Sequence, residues 1–179
     1  ESFTPDTNTL LGEVPEVKNF FVCCGLNSIG IGSGGGVGKV TAEWLMSGHI
    51  NEDIFSYDIK RFQKFHSELG FIKPRITESL GDLYGMHWPF KQHKTSRNIK
   101  TLPHHENLKS FGACFGVSGG YERPMWFALD GEINEYEYSY NYQNWYPSVE
   151  YETNNTIKNV GLFDLTPFSK FEIKSDKAH

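Results

Sequence analysis

The stretch that decides the fold is Asn19–Gly48, NFFVCCGLNSIGIGSGGGVGKVTAEWLMSG. It reads as a buried strand, a glycine-rich turn and a helix. Phe20, Phe21, Val22, Cys23 and Cys24 form an unbroken run of apolar and small residues, as expected of a strand covered on both faces. Gly30, Gly32, Gly34, Gly35, Gly36 and Gly38 then crowd into nine positions. Val40, Trp44 and Leu45 recur at helical spacing, so the helix is expected to start near Gly36, and Gly48 suits a left-handed cap. Glycines at a strand-to-helix turn let backbone N–H groups approach a ligand at the positive end of a helix. A nucleotide or flavin is the natural ligand for that arrangement.

Two phosphate-binding motifs are tested against this stretch. A P-loop, G-x-x-x-x-G-K-[ST], fails twice: its first position is Ser33, and Val40 follows Lys39. The dinucleotide fingerprint G-x-G-x-x-G is met formally by Gly30, Gly32 and Gly35. That motif needs a second strand ending in an acid roughly 20 residues on. Here HINEDIFSYDIKRF follows, which reads as a loop entering another helix. Two readings stay open: glycines that only let a helix pack tightly on a sheet, and a ligand-facing turn after the last strand of a nucleotide-binding domain whose fingerprint lies elsewhere. We favour the second.

Composition narrows the function classes. The chain of 179 residues is long enough to bury a real core in one or two small domains. A net charge of −5 argues against nucleic acid as a principal partner. An aromatic content of 15% with modest charge describes a globular protein. No apolar run approaches the ~20 residues of a membrane span. The opening ESFTPDTNTLLGE lacks the basic and apolar regions of a signal peptide, and with no initiator Met the true N-terminus is expected to be missing. Cys23, Cys24 and Cys114 are too few and too badly spaced for a disulfide framework or zinc site, which points to a reducing compartment.

Along the chain, Glu1–Glu13 reads as a strand and a turn, with Pro5, Asp6 and Asn8 supplying turn chemistry and Leu10 and Leu11 returning to the core. Asp6 is read as a turn residue, not a catalytic one. Asp53 is expected to cap a helix carrying Ile54, Tyr57, Asp58, Arg61, Phe62 and Phe65. Phe71–Gly85 makes another helix with Pro74 near its first turn. His87, His93, His104 and His105 show no H-x-x-x-H pair and no supporting carboxylate spacing, so no metal site is expected. From Thr101, LPHHENLKSFGACFGVSGGYERPMWF reads as a helix, a short strand, a glycine turn and an extended segment. Tyr136–Tyr151 is aromatic and acidic; Glu135, Glu137, Glu150 and Glu152 would repel phosphate, so an ordered loop is preferred to a nucleic-acid platform. Val160, Leu162 and Phe163 are expected in a core, Asp164 in a turn, and Phe171 and Ile173 in a strand.

FTPD, LLGEVPEVKNFFVCCGLNS and GGGVGK resemble the end of the flavin domain in dimethylglycine and sarcosine dehydrogenases. DIKRF is similar to the linker that leads into their central domain, and NWYPSVEYE fits the same family. Gly112-Ala113, Tyr121-Glu122, Pro124, Trp126-Phe127 and VGLFDLTPFSKFEIK resemble the opening of aminomethyltransferases of the glycine cleavage system. The resemblance implies an α/β and α+β chain in three parts: the end of an FAD-binding, D-amino-acid-oxidase-type domain over 1–50, a small central linker domain over 51–100, and the start of a T-protein-like, folate-binding domain over 101–179.

It further implies that Asn27, Ser28, Ile29, Gly30, Ile31 and Gly32 face the pyrimidine end of an FAD isoalloxazine. Monomeric sarcosine oxidases carry a histidine and a lysine where this chain has Ile29 and Gly32, so their substrate contacts are not transferred, and no catalytic residue is assigned. The implied activity is oxidation of an N-methylated amine on FAD with one-carbon transfer to tetrahydrofolate, in the bacterial cytoplasm or the mitochondrial matrix. The segment alone is expected to be inactive and to associate with itself or with the rest of its protein. ESFTPD, GGG-x-GK, YERP and KFEI look as much like the regulatory subunit of pyruvate dehydrogenase phosphatase, which gives a non-catalytic alternative.

Overall fold

The computed structural model describes residues 2–177; Glu1, where the first expected strand begins, lies outside them. The chain forms two compact units, one of residues up to 87 together with 93–96, the other of 88–92 and the residues from 97 on.

The first unit starts from an antiparallel ribbon of β1 (Leu10–Glu13) and β2 (Phe21–Cys24), with Leu10 opposite Cys24 and Glu13 opposite Phe21. Leu11, 4% exposed, is its buried apolar side chain, and its N–H donates to the Tyr57 carbonyl at 2.9 Å. The expected doubly covered strand is a half-exposed one: Phe20 is 54% exposed and Cys23 and Cys24 are both exposed. A two-stranded ribbon has one packed face at most, and here that face takes Trp44 edge-on to Phe21 at 5.9 Å. Gly12, at φ 111°, makes room for the indole: a Cβ there would lie 2.4 Å from Trp44 Cη2.

Helix α1 spans Gly30–Ser47 and closes on Gly48 at φ 73°, whose N–H donates to the Trp44 carbonyl. It therefore begins six residues before the expected start near Gly36, and the glycines from Gly30 to Gly38 lie inside the helix rather than in a turn. Trp44 packs as expected, whereas Leu45 is 55% exposed. Lys39 lies on the surface, paired with Glu43 at 2.8 Å and Glu52 at 3.7 Å.

The helix expected after Asp53 is replaced by turns and two short 3₁₀ helices, Ile59–Arg61 and Lys64–Ser67. Asp58, not Asp53, caps the first of these, accepting from the Lys60 N–H at 2.8 Å. Arg61 fixes this segment to the N-terminal turn: Nε and Nη2 donate to the two Asp6 oxygens at 2.7 and 3.0 Å, and Nη2 also to the Asn8 carbonyl. Asp6 is thus an anchor as well as a turn residue. Helix α2 (Leu69–Leu83) starts earlier than expected and holds Pro74 in its second turn, so the Gly70 carbonyl loses its intrahelical donor. Phe71, Arg75 and Ser79, four residues apart, form its buried face.

The second unit is organised by a hairpin. Helix α3 (His105–Ser110) leads into β3 (Ala113–Ser118) and β4 (Tyr121–Phe127). Ser118 faces Tyr121 across a two-residue loop, Gly119-Gly120, with φ of 59° and 81°. Positive φ at both positions defines a type I′ turn, which matches the strand twist. Phe115 pairs with Pro124 and Cys114 with Trp126, leaving Met125 as a bulge where the proline need not donate. Cys114, Trp126 and Trp145 form the core, with Ala128 and Tyr136 against it. Burial pushes the Cys114 thiol up to about 11. Helix α4 (Tyr146–Lys158) is tied to β4 by the Phe127 N–H, which donates to Glu152 at 2.8 Å. Beyond it, Val160, Leu162 and Phe163 are exposed at 78, 101 and 69%, and Phe171 and Ile173 form no strand, so the expected core and strand are absent among the described residues. Asp164 does make a turn, accepting from the Thr166 N–H at 2.8 Å.

Candidate functional site

The six residues proposed to face a flavin fall into two groups. Asn27 is 1% exposed and its side chain is spent inside the chain. Its Oδ1 accepts from the Thr4 N–H at 2.9 Å, while Nδ2 donates to the Gly25 carbonyl at 2.7 Å and to Thr4 Oγ1 at 3.1 Å. Its N–H donates to the Ser2 carbonyl at 3.1 Å. Asn27 and Ser28 take φ of 46° and 64°, a left-handed pair that turns the chain from β2 into α1. Asn27 is therefore the bracket that holds this corner, and its amide does not point outward.

The remaining four present themselves. Ile29 is 54% and Ile31 104% exposed. Ile29 occupies the position before the helix and provides no side-chain cap, and the first turn carries no acid. The leading N–H groups of α1 thus lie at the positive end of an 18-residue helix with no side chain from within it to neutralise them. Gly32, Gly34, Gly35, Gly36 and Gly38 have no atom within 4 Å of where a Cβ would stand. Gly30 does: its Cβ would lie 2.9 Å from Leu26 Cδ1. The surface offered is backbone-rich and open, suited to close approach by a flat, electron-rich group. Asn27, turned inward, takes no part in that surface.

A second cluster lies in the same unit. Glu78 and Asp82, one helical turn apart on α2, converge with His93. His93 Nδ1 is 3.9 Å from Glu78 Oε1 and 3.8 Å from Asp82 Oδ2. Glu78 is oriented by the Lys94 N–H at 2.6 Å, the Thr95 N–H at 2.8 Å and the Thr95 hydroxyl. Burial pushes its carboxyl up, but these donors more than offset that and hold it below the usual range. Histidine spacing could not reveal this set. The sequence carries only E-x-x-x-D on a helix; His93, eleven residues after Asp82, is brought to it by the fold.

Comparison with known proteins now places the chain. Residues 47–101 match the family model of the FAD dependent oxidoreductase central domain, and residues 104–179 match that of the GCVT N-terminal domain. The chain joins these two domains. It is 43% identical over 178 residues to 4-methylaminobutanoate oxidase (formaldehyde-forming) of Paenarthrobacter nicotinovorans, covering 99% of this chain and 22% of that protein. It is 35% identical over 170 residues to the mitochondrial sarcosine dehydrogenase of Mus musculus, covering 93% and 18%. The mitochondrial pyruvate dehydrogenase phosphatase regulatory subunit of Mus musculus is 33% identical over 178 residues, covering 98% and 20%. The chain spans about a fifth of the length of these curated relatives. The two matched domains follow one another as the resemblance gives for its second and third parts. The relatives come from a bacterium and from mitochondria, and among the described residues no helix is long and apolar enough to cross a membrane.

Proposed function

We propose that this chain is part of a longer flavoprotein that oxidises an N-methylated amine. The observation that carries the reading is the uncapped, glycine-lined start of α1, directly after the Asn27–Ser28 corner. In this reading residues near 1–50 close an FAD-binding domain, those near 51–100 form the central domain, and those from about 101 begin the folate-binding domain. When bound, FAD would supply the acceptor for a hydride equivalent from the substrate's N-methyl group. The chain's own contribution is positional. Asn27 fixes the corner, so that the N–H groups of the first turn of α1 lie where negative charge develops at the flavin's pyrimidine end. Ile29 and Ile31 add apolar contact and exclude water beside them. The one-carbon unit, which the name of the oxidase relative gives as formaldehyde, would pass instead to tetrahydrofolate on the second domain.

The test uses the full-length protein. Gly32→Val meets open space, so the fold should tolerate it while flavin retention falls. Unchanged flavin content in a folded Gly32→Val variant would refute the placement. The 33% identity to the phosphatase regulatory subunit supports a non-catalytic reading of the same architecture. A full-length protein without flavin absorbance would favour that reading over the oxidoreductase.

A further inference from the structure

We propose that Glu78, Asp82 and His93 form a zinc site that ties helix α2 to the segment His93–Ser96. The donor set is mixed: two carboxylate oxygens from one helix face and an imidazole nitrogen from a separate segment. Their ligand atoms all lie within 4.8 Å of one another. Ligands ~2.1 Å from a tetrahedral ion stand ~3.4 Å apart. The observed 3.8 and 3.9 Å from His93 Nδ1 exceed that by about half an ångström, so binding an ion requires a small inward shift of Asp82 and His93. The same separations are too long for hydrogen bonds.

Three further observations support an ion here. Glu78 Oε1 takes one backbone N–H, and Oε2 takes the Thr95 N–H and hydroxyl, so the carboxylate is held in place by donors that are not ligands. Such outer contacts fix a metal-binding carboxylate in ionised form. Arg75 lies on the other side of Glu78, its Nε 3.9 Å from Oε2, and its Nη2 is committed to the Thr95 and Ser96 carbonyls. Its Nε approaches the carboxylate from the Oε2 side. Side-chain exposures of 14, 29 and 34% for Glu78, Asp82 and His93 leave one side open, enough for a water as fourth ligand and for entry of the ion. The nitrogen donor and the small ligand count favour zinc over magnesium or calcium, which take oxygen ligands in larger number.

The ion's place gives it a structural role. The segment 93–96 is bonded to α2 through Glu78, Arg75 and Phe71, and a metal would add a link from His93 to the Glu78 and Asp82 face. To test this, the full-length protein is titrated with zinc chloride by calorimetry, and thermal midpoints are read with and without zinc. We expect one zinc per chain at micromolar or tighter affinity and a raised midpoint. Asp82→Asn and His93→Gln should each weaken that binding at least tenfold and abolish the midpoint shift, with far-UV circular dichroism unchanged. His104→Gln should leave both readouts as they are. Zinc binding unchanged in Asp82→Asn and His93→Gln, or no binding at micromolar zinc by the folded wild-type protein, would overturn the assignment.

Discussion

Helix α1 and the β3–β4 hairpin use their tryptophans in opposite ways. Trp126 sits inside the hairpin's core at 2% exposure, with Cys114 and Trp145 around it. Trp44 is half-buried on a two-stranded ribbon, and α1 contains no buried residue over its 18 positions. The hairpin region makes its own interior; α1 is held by backbone bonds, its glycine cap and one indole. Stability and the proposed binding surface are thereby separated: what stabilises the second unit is enclosed, while what would bind a ligand in the first is open.

The widest break in this contrast should come from the two tryptophans. Trp126→Ala is expected to cost ~3–5 kcal/mol and Trp44→Ala about 1–2, read by urea denaturation. Equal losses would erase the difference between an enclosed and a leaning indole.

Glu122, 2% exposed, sharpens the same contrast through charge. Its carboxylate accepts from Arg97 Nε at 2.7 Å and Nη2 at 2.5 Å, and from the Asn98 N–H at 2.7 Å. Glu122→Gln should cost about 2–4 kcal/mol, below the full value for a buried pair because the Arg97 side chain keeps 23% of its surface exposed. Burial raises the Glu122 pKa, but Arg97 and the Asn98 N–H lower it further, and the net shift is downward from 4.5. A depressed folded-state value means that the stabilisation is complete above the unfolded carboxylate's titration and is lost as pH falls through 4.5 toward the folded value. Acid titration of stability should show this loss in the wild type and a flatter profile in Glu122→Gln.

The smallest effects belong to α1. Gly35→Ala places its methyl in open space and should stabilise the helix by ~1 kcal/mol, while lowering flavin retention in the full-length protein if this face meets FAD. A rise in both would separate the glycines from ligand binding. Lys39→Ala, whose ion pairs are exposed, should leave the melting midpoint unchanged.

Legibility in the sequence followed the strength of local rules. Gly119-Gly120 between two apolar runs specified its hairpin, and Gly48 specified the end of α1, because positive φ there is a backbone requirement. The start of α1 was misplaced for a physical reason: each interior glycine disfavours helix by ~1 kcal/mol, so six in nine positions read as a turn. Asn27, expected to face a ligand, turns inward instead, because its role depends on Thr4, 23 residues away. Val160, Leu162 and Phe163 satisfy a core pattern, yet apolarity alone does not supply a partner to bury them. The Glu78–Asp82–His93 cluster needed the chain's return after α2, which no spacing rule contains.

Gly12 is guarded by two independent locks. Its φ of 111° suits only a residue without a side chain, and the Trp44 ring occupies the space that a Cβ would take. Replacing Trp44 by something smaller releases the second lock and leaves the first. The two positions therefore cannot exchange bulk. Drift at this corner runs one way: position 44 can shrink at a modest loss of stability, and position 12 has nowhere to go.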